Sequence, residues 1–505
     1  MPQEKLIVLT PDKLGSGMFP SAEPDAGETW NTGSNVWFRE LSIEQVLGRQ
    51  KIASLVGGAH GARPSQAMTQ AFTTDLHKRI YYEDGGAINY VQDLSSTTHL
   101  IGSLYELGSF DMETWGDWLF VTDGTTYAAS GAAPNPNPTG GLQYWKGSIT
   151  GGVFSPPGDA VSQFTKAGIV KRLAQHLLVY NTNDITTTPI TDLSTGFRWC
   201  SADDPTTWTP SVNNSARNLN IRNLDSPIIA VCDLGAAHAV YSSNTMLAVQ
   251  YLGPSLWFGT PNQSLTGIGA VSKHSVVSVG QLNYGLSRAG IFHTDGSTFQ
   301  FVDRPAVDKW LQQNVDWTRQ NTIAGYYNDK LSLVIWSVPI FGGAFATIAV
   351  DPKIRQLTAE SIYLGRQTFT YLDNKMGFGI ERMVFDYPII SQQDGLYLES
   401  VVNTLAGNFT LSTNLLNGGA EDIYKMWDYM IAPGTYAPDA QVQFGVTDTP
   451  DLSTVLWGPW VPLSVRVPMP GGPIESIYLA LNFQAKTTFR LSGLTVFGEK
   501  GGFVN

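Results

Sequence analysis

Short apolar runs recur along this chain, each about four to seven residues long and parted by glycine, proline, asparagine and aspartate. The clearest are Leu177-Leu178-Val179-Tyr180, Met246 to Tyr251, Ser275 to Val279, Leu331 to Trp336 and Thr347 to Val350. Runs of this length, bounded by turn formers and rich in β-branched and aromatic residues, predict strands rather than helices. Four times such a strand meets an Asp-Gly pair, at Asp84-Gly85, Asp123-Gly124, Asp295-Gly296 and Asp394-Gly395. Asp-Gly between alternating apolar residues signals a hairpin, because a type I′ turn needs positive φ at both central residues. The pairs lie 39, 172 and 99 residues apart. One, four and two units of roughly 40–50 residues give those spacings, which is the blade length of a β-propeller.

The pattern therefore predicts an all-β fold: a β-propeller of six or seven blades, with β-sandwich or barrel-like regions from the N- and C-terminal segments. Residues 1–60 form an N-terminal segment, 61–405 the propeller and 406–505 a C-terminal β domain. Within the first, Asn35 to Arg39 reads as a strand. Ser42 to Leu47 reads as a short helix, with Ser42 and Gln45 as its capping box. Proline in Ala132 to Pro138 denies both helix and ladder, so that stretch is a loop insertion. Asn328-Asp329-Lys330 reads as a tight turn. The clearest helix is Val307 to Val315, opened by Arg304-Pro305. In the last part, Val442 to Val446, Ile477 to Phe483 and Phe489 to Phe497 read as strands.

Composition sharpens this picture. The chain has 505 residues, 42% hydrophobic, with 14 Trp, 20 Tyr and 23 Phe, so apolar area is ample for folded cores. Only 15% are charged, against about 25% in ordinary domains, which suggests surfaces covered by neighbouring subunits. The net charge is −12, and no basic run reaches the length of a nucleic-acid patch. Tight binding to DNA phosphates is therefore not expected. Cys200 and Cys232 are too few for a disulfide framework and are expected to be reduced. No leader pattern opens the sequence at Met1 to Lys5, and no run reaches 18 apolar residues, so membrane insertion is not expected.

Candidate chemistry is sparse. No two of the seven histidines stand at the spacing of a helical metal site, and the close His–carboxylate pair His293 and Asp295 falls in a hairpin. Gly-rich phosphate loops, a Gly-x-Ser-x-Gly elbow and EF-hand spacing do not occur. Ser201-Ala202-Asp203-Asp204-Pro205-Thr206-Thr207-Trp208 resembles the Asp-box of sialidase-type propellers, with Pro205 at its glycine. That box is a structural hairpin in which a carboxylate accepts turn amides above a packed Trp. The sialidase Phe-Arg-Ile-Pro sequence has its nearest counterpart at Phe38-Arg39-Glu40-Leu41, which fails after Arg39. A glycosidase of another type needs only two suitably separated carboxylates; Asp203, Asp204, Glu421 and Asp422 read instead as turn and surface residues. No catalytic, cofactor-binding or metal-binding residue is assigned and no cofactor is expected. The alternatives are a glycan-binding receptor propeller and a sialidase-like glycoside hydrolase.

Several stretches, taken in order, carry a family resemblance. They are Trp30 to Arg39, Phe197 to Trp208, Val249 to Pro254, Ile268 to Val277, Gly290 to Gly296, the segment from Val307, and Phe489 to Leu494 followed by Gly498 to Gly502. This order is similar to the tail nozzle family of short-tailed bacteriophages, also described as tail hub or packaged-DNA stabilisation proteins. The family's Gly-Lys-Arg-Pro-Gly-like stretch is degraded here at Leu47-Gly48-Arg49-Gln50. The resemblance implies a non-enzymatic virion structural protein, assembled in the bacterial host cytoplasm. Six copies would form a tube below the portal and its adaptor ring, the propellers outside. It would anchor tailspikes or tail fibres and a tip plug or needle, retain packaged DNA, and conduct the duplex through its lumen without tight binding.

Overall fold

The computed structural model describes residues 4–9, 30–34, 36–39, 42–45, 49–55, 67–93, 97–103, 110–124, 141–147, 154–260, 264–302, 311–328, 332–343, 345–350, 352, 357–363, 368–369, 389–392, 395–399, 409–417, 423–486 and 489–503. Among them, strands pair into ten sheets. Seven sheets follow one another along the chain, each a meander in sequence order apart from the outer strand of the seventh and a side strand, Leu265–Thr266, in the fourth. Their first strands are Met68–Phe72, Asp111–Trp115, Ala167–Leu173, Ala230–Leu234, Val276–Val279, Ala324–Asn328 and Thr368–Phe369. Each first strand lies beside the next one in this series, which sets the seven sheets around a common hub. The fold is a β-propeller with seven blades.

The alternation of side chains explains why these strands look apolar throughout. In the strand His176–Asp184, Leu177 and Val179 join Phe120 and Leu142 of the second blade, while Leu178 and Tyr180 join Val240 and Leu247 of the fourth. Ala230 and Cys232 pack towards Val276 and Phe292 of the fifth blade, whereas Val231 turns back towards the third. Val276 and Val277 part in the same way between the fourth and sixth blades. Period two puts successive residues on opposite faces, and both faces of a blade are covered. Burying each such side chain contributes about 1.5–3 kcal/mol.

The ring closes with a strand from far away in sequence. Arg49–Ser54 pairs with Gly395–Glu399 as the outer strand of the seventh blade. Its Ile52 and Ala53, with Leu55, pack against Met68, Ile80, Tyr82 and Val91 of the first blade.

The three remaining sheets mix the two ends of the chain. Glu4–Leu9 pairs with Leu494–Phe503, Trp30–Ser34 with Phe409–Thr413, and Ser42–Gln45 with Phe489–Leu491. They enclose one core of Trp30, Ile43, Phe409, Trp427, Phe444, Leu481, Phe483, Phe489 and their neighbours. Strand pairing thus cuts across a three-part division at residues 60 and 405. The first 45 residues supply strands to the C-terminal β domain, and Arg49–Ser54 belongs to the propeller.

Several local expectations are corrected. Ser42–Gln45 is a strand, not a capped helix: it forms a tight hairpin with Val36–Arg39 and a second ladder with Phe489–Leu491, and Ser42 Oγ donates to Glu44 at 2.9 Å. Tertiary pairing here overrides a weak capping signal. The stretch from Phe489 to Phe497 is two strands in different sheets. They break at Ser492-Gly493, where Ser492 N–H donates to Pro433 C=O and a Cβ on Gly493 would meet Pro433 Cγ at 2.8 Å. Of the helix expected from Val307 to Val315, residues 311–314 are helical and 303–310 lie outside the described residues. The Pro-rich loop at 132–138 and the turn residues Asp329 and Lys330 also lie outside them.

The Asp-Gly pairs mark chain reversals without forming one uniform hairpin. Asp84 pairs with Ala87, so the turn is Gly85-Gly86, with φ of 58° and 89°. Gln392 pairs with Gly395, which places Gly395 in a strand. Asp123-Gly124 and Asp295-Gly296 share another local device: each Gly N–H donates to the Thr hydroxyl two residues earlier, at 3.3 and 3.0 Å. Asp295 then caps a four-residue loop by accepting the N–H groups of Ser297 and Thr298.

Ile43 is wholly buried in the core shared by the two chain ends. Ile43→Ala is expected to destabilise that domain by about 2–5 kcal/mol in urea unfolding followed by tryptophan fluorescence. An unchanged midpoint would show that the N-terminal strands do not hold it together.

Candidate functional site

A propeller's hub is where inner strands from every blade converge, and here it holds a cluster of polar residues. Asp111 lies at the start of the second blade's inner strand, Lys171 within the third's, and Lys273-His274 immediately before the fifth's. Asp111 is 2% exposed and accepts from Val170 N–H at 3.0 Å and from Lys171 Nζ at 3.1 Å. Lys273 Nζ donates to Gly168 C=O of the third blade at 2.6 Å, and His274 Nε2 lies 3.4 Å from Phe110 C=O beside the second. The second and fifth blades are three places apart around the wheel, so these contacts cross its centre.

The electrostatics follow from that position. Burial pushes the Asp111 carboxyl up, but Lys171, Lys273 and His274 outweigh it, and the group ends below the usual carboxylate range. Burial brings Lys273 down to about 8 despite Asp111, and His274 down to about 4. Lys273 and His274 retain some open surface, yet their polar ends are committed to the opposite wall. The cluster acts chemically as a staple: two cations and a histidine tie carbonyls and one carboxylate across the hub. The sequence signal was Lys273-His274 interrupting the run from Ile268 to Val277. Its partners Asp111 and Lys171 lie about 160 and 100 residues away, so only the fold brings them together.

The Asp-box-like turn is also structural, with its carboxylate displaced by one residue. Asp204, rather than Asp203, accepts from Thr206 N–H and from the hydroxyls of Thr206 and Thr207 at 2.6–3.0 Å. Asp203 takes a left-handed conformation, with φ of 58°. Trp208 is fully buried, donates to Pro205 C=O at 3.0 Å and meets Phe164 edge-on at 5.2 Å. Asp159 anchors the same turn by accepting Trp208 N–H and Thr209 N–H. Arg39 sits in a strand of the C-terminal β domain, not in the propeller. Glu421 and Asp422 lie outside the described residues.

Two further histidines are buried in the blades. His293 is buried and faces the Tyr284 ring at 5.5 Å, while Asp295 is engaged with its own turn. His176 Nε2 lies 3.0 Å from Ser215 Oγ, and Ser215 Oγ also accepts Ala202 N–H at 2.7 Å. The pair lacks the access a nucleophile needs: His176 is 1% and Ser215 3% exposed, and Tyr251, Trp257 and Phe258 surround the ring. Burial pushes His176 down to about 4. Cys200 and Cys232 are buried free thiols, and burial raises Cys200 to about 12. Among the described residues no three His, Cys, Asp or Glu side chains converge as a metal site, and no helix is long and apolar enough to cross a membrane.

Asp111→Ala would leave Lys171 and Lys273 facing each other without their shared anion. A loss of about 3–5 kcal/mol is expected in chemical denaturation, and a loss below 1 kcal/mol would contradict the staple. His274 and His176 also set an acid response. Each has a folded-state value near 4 against an ordinary 6.5, so below pH 6.5 the unfolded chain takes up more protons. Stability must therefore fall as pH drops from about 6.5 to about 4. Thermal melts across that window should show the decline, and His274→Gln should flatten part of it.

Comparison with known proteins gives only loose likenesses of shape. No protein-family model matches it, and no curated protein matches it. Among solved structures it is similar to a fucose-specific lectin from Aleuria aurantia, with 12% identity, 60% of this chain and 97% of that one covered, and a TM-score of 0.33. It is also similar to U3-55K, at 8% identity, 68% and 97% coverage and a TM-score of 0.36. A third is a protein described as a glycoside hydrolase, at 8% identity, 77% and 97% coverage and a TM-score of 0.27. These likenesses are loose, and no activity is carried over from them; the chain is an all-β protein whose central body is a seven-bladed propeller.

Proposed function

We propose that this chain is a non-enzymatic structural subunit of the tail nozzle type that its sequence resembles, assembling as a homo-hexameric tube in a phage virion. The observation that carries the proposal is the double anchorage of the N-terminal arm. Ser42–Gln45 is built into the C-terminal β domain, and only residues 46–48 separate it from Arg49–Ser54, which closes the propeller. Leu357–Tyr363 of the sixth blade also lies beside Trp30–Ser34 and Val36–Arg39. Such cross-connection resists hinge motion and suits a part that transmits force between neighbours. The stapled hub supports the same reading, since it commits polar groups to holding blades together. Under this proposal the partners are the adaptor ring below the portal, tailspikes or tail fibres, and a tip plug or needle. Duplex DNA passes the lumen without tight binding, in keeping with the net charge of −12.

A second reading, glycan recognition, is favoured by one surface. Trp457 and Trp460 stand 39% and 37% exposed on an outer strand of the C-terminal β domain, and indoles left in water commonly mark a binding surface.

The nozzle reading predicts sixfold rings in electron micrographs of the purified protein, alone or mixed with adaptor. It also predicts negligible retention of duplex DNA on filters at physiological salt. Particles that stay monomeric with adaptor present, or strong DNA retention, would refute it.

A further inference from the structure

We infer that the outer face of the sheet carrying Trp457 and Trp460 binds a neutral glycan chain; this rests on the second reading above and assigns its site and ligand class. The sheet runs in the order Trp30–Ser34, Phe409–Thr413, Tyr478–Ala485, Gln441–Thr447, Leu456–Pro462. Val442, Phe444, Leu481 and Phe483 point into the core, so by alternation Gln441, Gln443, Asn482 and Gln484 point outwards. Pairing aligns Ser412, Asn482, Gln443 and Trp460 in one row across four strands. A second row aligns Thr410, Gln484, Gln441 and Pro462.

A bulge brings the second indole onto this face. Gln443 pairs with Trp460 and Gly445 with Trp457, so three residues on one strand span two on the other. Without the bulge, Trp457 would face the opposite side. Gly445 lets the ring lie down: a Cβ there would come within 2.6 Å of Trp457 Cε3. The backbone positions that carry the two rings are thus spaced by two residues of the neighbouring strand, roughly 7 Å, which sets both indoles on one face within reach of a short sugar chain.

The amides are held in place by one another. Ser412 Oγ donates to Asn482 Oδ1 at 2.5 Å, and Asn482 Nδ2 lies 3.4 Å from Gln443 Oε1. Gln443 Nε2 donates to Gly458 C=O at 2.8 Å, and Gln484 Nε2 donates to Gln441 Oε1 at 2.7 Å. A carboxamide has two N–H donors and two acceptor lone pairs, so these bonds leave capacity for ligand hydroxyls. None of the residues in the two rows is charged, so an ionised ligand would find no counter-charge there. A few fixed polar groups beside exposed aromatic rings match the two faces of a neutral sugar, apolar C–H and hydroxyl. A partner's β-strand fits less well, because Pro459 and Pro462 remove two N–H groups from the outer strand.

The test is binding of the full chain to an array of neutral oligosaccharides, built from hexoses, deoxyhexoses and N-acetylhexosamines, beside sialylated and uronate-bearing ones. Hits are then titrated by intrinsic tryptophan fluorescence. We expect a neutral glycan to bind, with Trp457→Ala and Trp460→Ala each weakening it about tenfold. Gln443→Ala keeps both rings and should weaken it several-fold, at an unchanged melting temperature. Binding untouched by all three variants would overturn the assigned site and leave the second reading standing. Binding of acidic glycans alone would overturn the ligand class, and an array without any binder would sink the assigned site and the second reading together.

Discussion

Among the described residues, the blades bury apolar side chains on two faces, and neither can be left in water. That constraint organises the rest of the fold. A sheet whose alternate residues serve different neighbours, as Leu177 and Leu178 do, cannot end a stack without exposing one face. Closing the stack on itself removes the problem, and a propeller is the closed form that short twisted sheets allow. The last blade still needs an outer strand, and Arg49–Ser54 supplies it. The N-terminal arm is therefore part of the ring rather than an appendage.

Closure leaves a hub, and a hub gathers inner strands whose side chains must point somewhere. Here the chain fills the crossing with Asp111, Lys171, Lys273 and His274. Burying charge is costly unless each group finds a partner. The cluster meets that condition by pairing cations with one carboxylate and with strand carbonyls. Burial still lowers Lys273 and His274, which is the desolvation cost that their partners do not fully offset. The same economy appears at the Asp204 turn, where one carboxylate satisfies an amide and two hydroxyls above Trp208.

The C-terminal β domain follows a different rule. In the sheet carrying Gln441–Thr447 and Tyr478–Ala485, core residues alternate with outward amides over 441–444 and 481–484, while a second small cluster with Leu415 and Val455 covers the outer side at Tyr478 and Ala480. The amide-bearing stretch is where a surface function has room. The bulge between Trp457 and Trp460, opposite Gln443 to Gly445, matters because one inserted residue turns the following side chain to the other side.

The sequence by itself determined the class of structure. Length and period of the apolar runs, and the turn formers between them, were enough for strands and a blade-sized repeat, because those signals are local. It also marked the box around Trp208 as a structural turn, although the accepting carboxylate is Asp204 rather than Asp203. Tertiary structure decided what local signals do not encode. Ser42–Gln45 became a strand because Phe489–Leu491, more than 440 residues later, offered it a ladder. The Phe489 to Phe497 run divided because Pro433 packs against Gly493. The hub cluster and the tryptophan–amide face were invisible for the same reason. A strand's partner and the side its residues present depend on packing between segments far apart in the chain, and pairing distant segments sets a register that no single stretch contains.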